Sequence, residues 1–126
     1  KSKMKAQLTE LTYNDVLDNE KIKIINPVGF MDVITLERNA RMLVTDSGGL
    51  QKESFFFKKP CVILREQTEW IEIVNNGNAI IAGANAERIT TAFETLYTKT
   101  DFTYPNYYGD GSAAEFICQK IINEIG

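Results

Sequence analysis

The sequence predicts an α/β protein, doubly wound and Rossmann-like, in which helices cover both faces of a parallel sheet. Short apolar runs alternate with helical patterns along the chain, which is typical of this class. The runs are continuously apolar, as expected for strands that are buried on both faces. The chain has 126 residues, 44% of them hydrophobic, and this length suits one compact domain over residues 1–126.

Each element follows from this alternation. Four apolar runs are short enough to be strands, and we expect them at residues 22–26, 42–45, 61–64 and 78–83. Apolar residues at helical spacing predict helices at residues 8–19, 30–40, 50–57, 68–75, 86–97 and 114–125. Asn85 is suited to cap the fifth helix, whose apolar stripe is Ile89, Ala92, Phe93, Leu96 and Tyr97. The last helix carries a stripe that we expect to face the core, at Ala114, Ile117, Cys118, Ile121, Ile122 and Ile125.

The composition excludes several classes of function. The net charge is −3 and no cluster of Lys or Arg stands out, so we expect no nucleic-acid partner. No apolar run approaches the roughly 20 residues of a membrane-spanning helix, so we expect a cytoplasmic protein with no membrane partner. Cys61 and Cys118 lie in apolar patterns, which indicates buried thiols in a reducing compartment. The sequence contains no His, which excludes Ser-His-Asp and Cys-His nucleophile systems within this chain.

The turn Asp46-Ser47-Gly48-Gly49 ends a predicted strand and begins a predicted helix. In parallel α/β sheets, ligands bind beyond the carboxyl ends of the strands. Free N–H groups and the helix dipole at such a turn favour an anion. Glycines let a diphosphate approach the backbone because they lack a Cβ atom. The turn therefore suggests a site for nucleotide phosphates.

Glu53 stands four residues after Gly49, on the same helical face and about one turn further along. A nucleoside diphosphate bound at the glycines would bring its ribose near this carboxylate. The alternative is that Asp46 or Ser47 only caps the helix, the glycines form a tight turn, and Glu53 is solvated. The pattern alone leaves both interpretations open.

A longer stretch carries a family resemblance. TDSGGLQKESFFFKKPCVILREQTEW, at residues 45–70, resembles the C-terminal half of the non-hydrolysing UDP-N-acetylglucosamine 2-epimerases. NPVGFMDVITLERNARMLV upstream and YPNYYGDGSAAEFI downstream extend the similarity over residues 22–122. The resemblance implies a GT-B architecture, with the active site in the cleft between two Rossmann-like halves. The chain would then be the UDP-binding C-terminal domain, without the N-terminal domain.

The resemblance also implies roles at matching positions. The residues that it assigns to UDP are Ser47, Gly48 and Gly49 at the diphosphate, Glu53 at the ribose, and Val28 and Val33 beside the uracil. Further candidates are Pro27, Gln51, Arg65 and Trp70. The family often has an aromatic residue where Val33 stands. Gln51 could contact the sugar or make a structural hydrogen bond, and Arg65 could face the cleft or form a salt bridge with Glu69.

Trp70 departs from the commoner family pattern. Many members read Arg-Asp-x-Thr-Glu-Arg-Pro where this chain reads REQTEW, so Trp70 replaces the second arginine. A tryptophan here resembles the branch that epimerises diacetamido-uronic acid nucleotides, which implies a preference for a further modified sugar. The alternative is an indole that anchors the start of a short helix to the core.

The family mechanism removes UDP by anti elimination to leave a 2-acetamidoglucal, and then adds UDP back with C2 inverted. The carboxylates credited with this chemistry lie in the N-terminal half, so we assign no catalytic residue here and expect the chain alone to be inactive. The resemblance implies no metal and no cofactor such as NAD. The implied partners are a UDP-sugar, the N-terminal domain and, in the full-length bacterial enzyme of polysaccharide biosynthesis, a second copy in a homodimer.

The sequence is compatible with two other functions. The chain could be the nucleotide-sugar-binding half of a GT-B glycosyltransferase, because those enzymes also place a ribose-binding glutamate on this helix. It could also be a non-catalytic UDP-sugar-binding module. Paired carboxylates in the rest of the protein would favour the epimerase over the transferase.

Overall fold

The structure, a computed structural model, describes residues 16 and 18–125. Contacts between Cα atoms group the chain into two compact units, Lys1–Leu36 and Glu37–Gly126. Residues 16 and 18 are helical and residue 19 is not, whereas residues 8–15 and 17 of the helix predicted at residues 8–19 lie outside the described residues.

The strand predicted at residues 22–26 is wrong. Residues 22–29 are irregular, and the side chains of Ile22 and Ile25 are 45% and 47% exposed. A β-branched run forms a strand only where a neighbouring strand pairs with its backbone groups. No strand in the described part of the chain pairs with this segment. Helix α1 (Phe30–Asn39) follows it, as predicted.

The second unit contains a sheet of three parallel strands in the order β1-β2-β3. The strands are β1 (Leu43–Thr45), β2 (Cys61–Ile63) and β3 (Ala79–Ile81). Leu43 is paired with Cys61, and Cys61 with Ala79. The first residues of all three strands are therefore level, and their carboxyl ends open at one edge of the sheet.

Four further helices follow the strands, namely α2 (Gly48–Phe56), α3 (Ile71–Asn75), α4 (Ala86–Thr98) and α5 (Ala113–Ile125). Helix α3 begins later than the predicted residue 68. The Thr68 hydroxyl accepts a 3.1 Å hydrogen bond from the backbone N–H of Trp70, which closes a turn ahead of the helix. Asn85 caps α4 as predicted, because its Oδ1 accepts a 2.9 Å hydrogen bond from the Arg88 N–H.

Successive side chains of β2 enter two different hydrophobic clusters, one on each face of the sheet. The residues packed on the face that carries α2 and α3 are Phe55, Cys61, Ile63, Ile73 and Ala79. Those packed on the face that carries α4 are Val62, Ala82, Ala92 and Leu96. The prediction of a parallel sheet with helices on both faces is confirmed. The same geometry explains why the strands carry no polar alternation.

The prediction for α5 is half right. The helix forms, yet none of its residues is buried, and Ile122 and Ile125 are 63% and 81% exposed. Cys118 is exposed, which contradicts the prediction of a buried thiol. Cys61 is fully buried as predicted, and burial raises the pKa of its thiol to about 11. Periodicity defines an apolar face on a helix but does not show what covers that face.

Within the described residues, no helix combines the length and the apolar character that crossing a bilayer requires.

In α4, Ala92 and Leu96 are buried, whereas Phe93 and Tyr97 are 40% and 43% exposed. Their rings stack on each other with centroids 5.3 Å apart, so only part of the predicted stripe contacts the sheet.

Candidate functional site

The turn between β1 and α2 lies at the carboxyl edge of the sheet. Ser47 is the N-cap of α2: its Oγ accepts a 3.5 Å hydrogen bond from the Leu50 N–H, and its carbonyl accepts from Gln51 at 3.1 Å. The N–H of Ser47 donates to the Thr45 hydroxyl at 3.1 Å. The cap fixes the direction in which the first N–H groups of the helix point, and these groups have no partner within the helix.

Gly48 and Gly49 differ in what surrounds them. A Cβ atom added to Gly49 would meet only the Ser47 Oγ, at 3.8 Å, so this position faces open space. A Cβ atom added to Gly48 would overlap the carboxylate of Glu69. An alanine at Gly48 would therefore displace the end of the flexible Glu69 side chain, a contact that the sequence did not reveal. Gly49 has no such overlap, and its backbone is open to an approaching anion.

Arg65 forms an ion pair with Glu69 beside the Gly48 turn. The guanidinium Nη1 lies 2.9 Å from the nearer carboxylate oxygen. Hydrogen bonding of the carboxylate to its own backbone N–H, together with the ion pair to Arg65, lowers the pKa of Glu69. The salt bridge considered for these two residues is present. Both side chains stay partly exposed, at 37% and 51%, so the pair contributes little to stability.

Trp70 packs over the same turn. Its indole Nε1 donates a 2.8 Å hydrogen bond to the Gly48 carbonyl, and its ring packs against the core cluster beneath α2 and α3. The Lys52 Nζ lies 4.6 Å from the Trp70 ring centroid and 4.6 Å from that of Tyr108. Burial, followed by the nearby Glu72 carboxylate, raises the pKa of Tyr108 to about 12. The indole thus has the anchoring contacts of the structural alternative.

Gln51 makes the structural hydrogen bond that the sequence left open. Its side chain is fully buried, and its Oε1 accepts a 2.6 Å hydrogen bond from the Thr68 hydroxyl. This bond joins α2 to the loop that carries Trp70. A fully buried side chain offers no surface to a sugar in the conformation seen here.

Glu53 lies one turn after Gly49 on α2 and is half-buried. Beside it is Glu37, near the end of α1, which is only 4% exposed. Burial, and then the nearby Glu53 carboxyl group, raise the pKa of Glu37 to about 7. The structure therefore pairs the predicted ribose ligand with a second carboxyl group.

Sequence reasoning missed Glu37, although a signal was present. Phe30, Val33, Ile34 and Glu37 are spaced as one face of α1. A carboxylate at the last position of an apolar face is expected to be buried where that end of the face packs on the core. A buried carboxylate needs either a donor or a proton.

The residues that the resemblance assigns to the uracil belong to the first unit. Pro27 and Val28 lie in the irregular segment before α1, where Val28 is 41% exposed. Val33 is half-buried in α1. Within the described residues, no three His, Cys, Asp or Glu side chains cluster as metal ligands would.

Comparisons with known proteins agree on one family. A family model described as UDP-N-acetylglucosamine 2-epimerase matches residues 2–122. A UDP-N-acetylglucosamine 2-epimerase of Methanocaldococcus jannaschii is 41% identical over 114 residues, which are 90% of this chain and 31% of that protein. A UDP-2,3-diacetamido-2,3-dideoxy-D-glucuronate 2-epimerase of Pseudomonas aeruginosa is 40% identical over 101 residues, which are 80% of this chain and 28% of that protein.

The fold agrees with the sequence comparison. A crystal structure of the Methanocaldococcus jannaschii 2-epimerase in complex with UDP-GlcNAc and UDP superposes with a TM-score of 0.74 at 38% identity. The match covers 88% of this chain and 30% of that one. The chain thus spans less than a third of the length of these relatives.

Proposed function

The chain belongs to the UDP-N-acetylglucosamine 2-epimerase family, and we propose that it is the UDP-binding C-terminal domain of a sugar-nucleotide 2-epimerase. The complete enzyme interconverts UDP-N-acetylglucosamine and UDP-N-acetylmannosamine, or related modified UDP-sugars, by eliminating and re-adding UDP. In this proposal the remaining two-thirds of the enzyme supply the catalytic groups, and this chain supplies the nucleotide site. The complete enzyme acts in the cytoplasm as a homodimer.

The observation that carries the proposal is the open, capped turn at Gly49. The Ser47 cap orients the N-terminal N–H groups of α2, and of the side chains that the structure describes only that of Ser47 comes within 4 Å of a Cβ atom added to Gly49. A diphosphate is the ligand that suits such a turn, because its oxygens accept hydrogen bonds from several N–H groups at once and the helix dipole favours its charge. Relatives of this family have been crystallised with UDP-GlcNAc and UDP.

The ion pair beside Gly48 gives Arg65 a role in this proposal. The Glu69 carboxylate lies against Gly48, where the second phosphate would approach. An arriving diphosphate would take the Arg65 guanidinium from Glu69, since a phosphate can accept two of its N–H groups together. The exposed pair exchanges readily because it is weak in water.

Glu53 completes the nucleotide site in the proposal. It follows Gly49 by one helical turn on the same face, so the ribose of a nucleotide held at the glycines would reach its carboxylate. Both ribose hydroxyls can donate to one carboxylate. Pro27, Val28 and Val33 are proposed uracil contacts on the strength of the family resemblance alone, and we assign no catalytic role to any residue of this chain.

The comparisons do not distinguish between two candidate sugars for the complete enzyme. The relative that acts on a diacetamido-glucuronate nucleotide is 40% identical and the one that acts on UDP-N-acetylglucosamine is 41% identical. The two identities are too similar to favour either sugar. The nucleotide part of the proposal is the same for both, because each substrate carries UDP.

A UDP titration followed by amide NMR tests the nucleotide site, with uridine as the matched control. We expect millimolar affinity, since a half site that lacks several contacts of about 1 kcal/mol each binds weakly. UDP should shift the amides of residues 47–53 and 28–33. Uridine lacks the phosphates, so it should leave the amides of Ser47, Gly48 and Gly49 unchanged. An absence of shifts at several millimolar UDP would contradict the proposal.

A further inference from the structure

Glu37 is a buried carboxyl group without a conventional partner. The residue is 4% exposed, and neither Oε1 nor Oε2 accepts a hydrogen bond from any donor in the described residues. An isolated carboxylate in such a place is strongly destabilising, because it has lost its water without gaining donors. Burial therefore favours the protonated, neutral form of the Glu37 carboxyl group.

The groups that surround Glu37 also favour its protonated form. The titratable groups that face it from packed elements in the described structure are Glu53 from α2 and Cys61 from β2. Neither is a cation, and Arg38 on α1 itself is exposed. Two carboxyl groups can form a hydrogen bond only when one of them is protonated. Since Glu37 is more deeply buried than Glu53, it is the one that keeps the proton.

We propose that Glu37 is a positioning residue for the nucleotide site: as a neutral acid it donates a hydrogen bond to the Glu53 carboxylate and orients it toward the ribose. The inference rests on the proposed function, in which Glu53 is the ribose ligand. One carboxylate oxygen of Glu53 then accepts the hydrogen bond from Glu37, and the other oxygen stays available to ribose hydroxyls. The deeper burial of Glu37 keeps the anion on the half-buried Glu53.

The arrangement makes nucleotide affinity depend on pH. Burial and the nearby Glu53 raise the pKa of Glu37 to about 7. Above that pH, the ionised Glu37 repels Glu53, and the nucleotide binds only after a proton is taken up again. Linkage then predicts that UDP affinity is about tenfold weaker at about pH 8 than at about pH 6. Glutamine at this position keeps the donor and cannot ionise, so it removes this dependence.

The test measures the dissociation constant of UDP from the intact protein between about pH 6 and pH 8.5, for the wild type and for Glu37→Gln. UDP itself titrates in this range, and the ratio of the two constants cancels that contribution. We expect a ratio near one at low pH that rises to about tenfold at about pH 8. With 2′-deoxy-UDP the rise should be smaller, because one ribose contact is absent. A purely structural role of Glu37 would change the melting temperature but leave the ratio constant with pH.

A second measurement does not depend on UDP. Carbon-detected NMR of the glutamate side chains follows the ionisation of Glu37 in the unliganded protein, with the exposed Glu94 as the control. Titration of Glu37 near pH 7 supports the inference, and titration in the ordinary glutamate range overturns it. A constant ratio of UDP affinities would overturn it too while leaving UDP binding intact. Failure of the wild type to bind UDP at any pH would instead overturn the proposed function.

Discussion

The indole N–H of Trp70 donates a 2.8 Å hydrogen bond to the carbonyl oxygen of Gly48. This bond joins the loop after β2 to the first residue of α2, twenty-two positions earlier in the chain. Tyr108 packs edge-on against the same indole, with ring centroids 5.8 Å apart. The glycine turn is therefore fixed from one side by tryptophan, and its other side remains open at Gly49.

Trp70 should contribute to stability through both its ring and its N–H. Trp70→Ala should lower the free energy of unfolding by about 3 kcal/mol, because the ring packs on the core. Trp70→Phe keeps an aromatic ring and loses the hydrogen bond, so we expect a loss of about 1 kcal/mol. Urea denaturation measures both, with the 68% exposed Phe116→Ala as the control. Equal losses for the alanine variants of Trp70 and Phe116 would contradict the anchoring role.

Trp70→Arg tests whether the same residue sets sugar preference. If it does, restoring the commoner arginine should change the ratio of kcat/KM between UDP-N-acetylglucosamine and its diacetamido-glucuronate counterpart in the complete enzyme. Arginine brings a fixed charge and five donors to the diphosphate side of the loop. A large loss of melting temperature with an unchanged ratio would exclude Trp70 as a determinant of specificity and leave only its structural role.

Alanine at the two glycines should separate stability from binding. Gly49→Ala introduces a methyl group into open space, and Gly48→Ala displaces only the partly exposed Glu69 side chain. Both variants should keep the free energy of unfolding within about 1 kcal/mol of the wild type. Both should nevertheless weaken UDP at least about tenfold, which corresponds to one lost contact of about 1.4 kcal/mol.

Gly109→Ala provides the matched control for the glycine variants. Gly109 has φ +81° and no atom within 4 Å of an added Cβ. Alanine there should strain the backbone and lower stability by about 1 kcal/mol while leaving UDP affinity unchanged. Isothermal titration calorimetry and denaturation on the same samples give both quantities. Unchanged UDP binding in Gly49→Ala would place the diphosphate elsewhere.

Glu53→Gln should weaken UDP binding by roughly 10- to 100-fold, since a hydrogen bond to a charged group contributes about 1.5–3 kcal/mol. The binding of 2′-deoxy-UDP should be less sensitive to the substitution, because part of the contact is already absent. Calorimetric titrations of both ligands give the comparison, and Glu94→Gln on the exposed side of α4 is the control. An equal loss for both ligands would remove the ribose from the role of Glu53.

Glu37 should make the folded state less stable as the pH rises. Its pKa is about 7 in the folded protein against an ordinary value of 4.5, so between these pH values the folded state binds more protons than the unfolded state. Stability therefore falls with rising pH across this window, by up to about 3 kcal/mol. Denaturation of the wild type and Glu37→Gln at several pH values measures the difference. The same slope in both proteins would contradict the raised pKa.

The order of the strands and helices could be predicted because it depends on local physical chemistry. Apolar runs bounded by residues such as Pro60 mark β2, and Asn85 marks the start of α4. Those signals act over a few residues and need no partner. The segment at residues 22–26 has an equally good β-branched pattern, and it is not a strand because no strand among residues 18–125 pairs with it.

The glycine turn was recognised from the sequence, but its contacts were not. The Ser47 cap follows from residue type, whereas the Glu69 carboxylate against Gly48 and the Trp70 bond to its carbonyl come from a loop far along the chain. The same holds for Gln51, where only the position of Thr68 decided between a ligand contact and a structural bond.

The sequence by itself determined the class of fold, the location of the glycine turn and the family. It did so through periodicity, capping residues and a long motif, all of which are properties of neighbouring residues. Tertiary structure alone decided that the apolar face of α5 is exposed and that Glu37 is buried against Glu53. Burial and ionisation depend on which distant elements pack together and on how much water they exclude, and no local pattern contains that information.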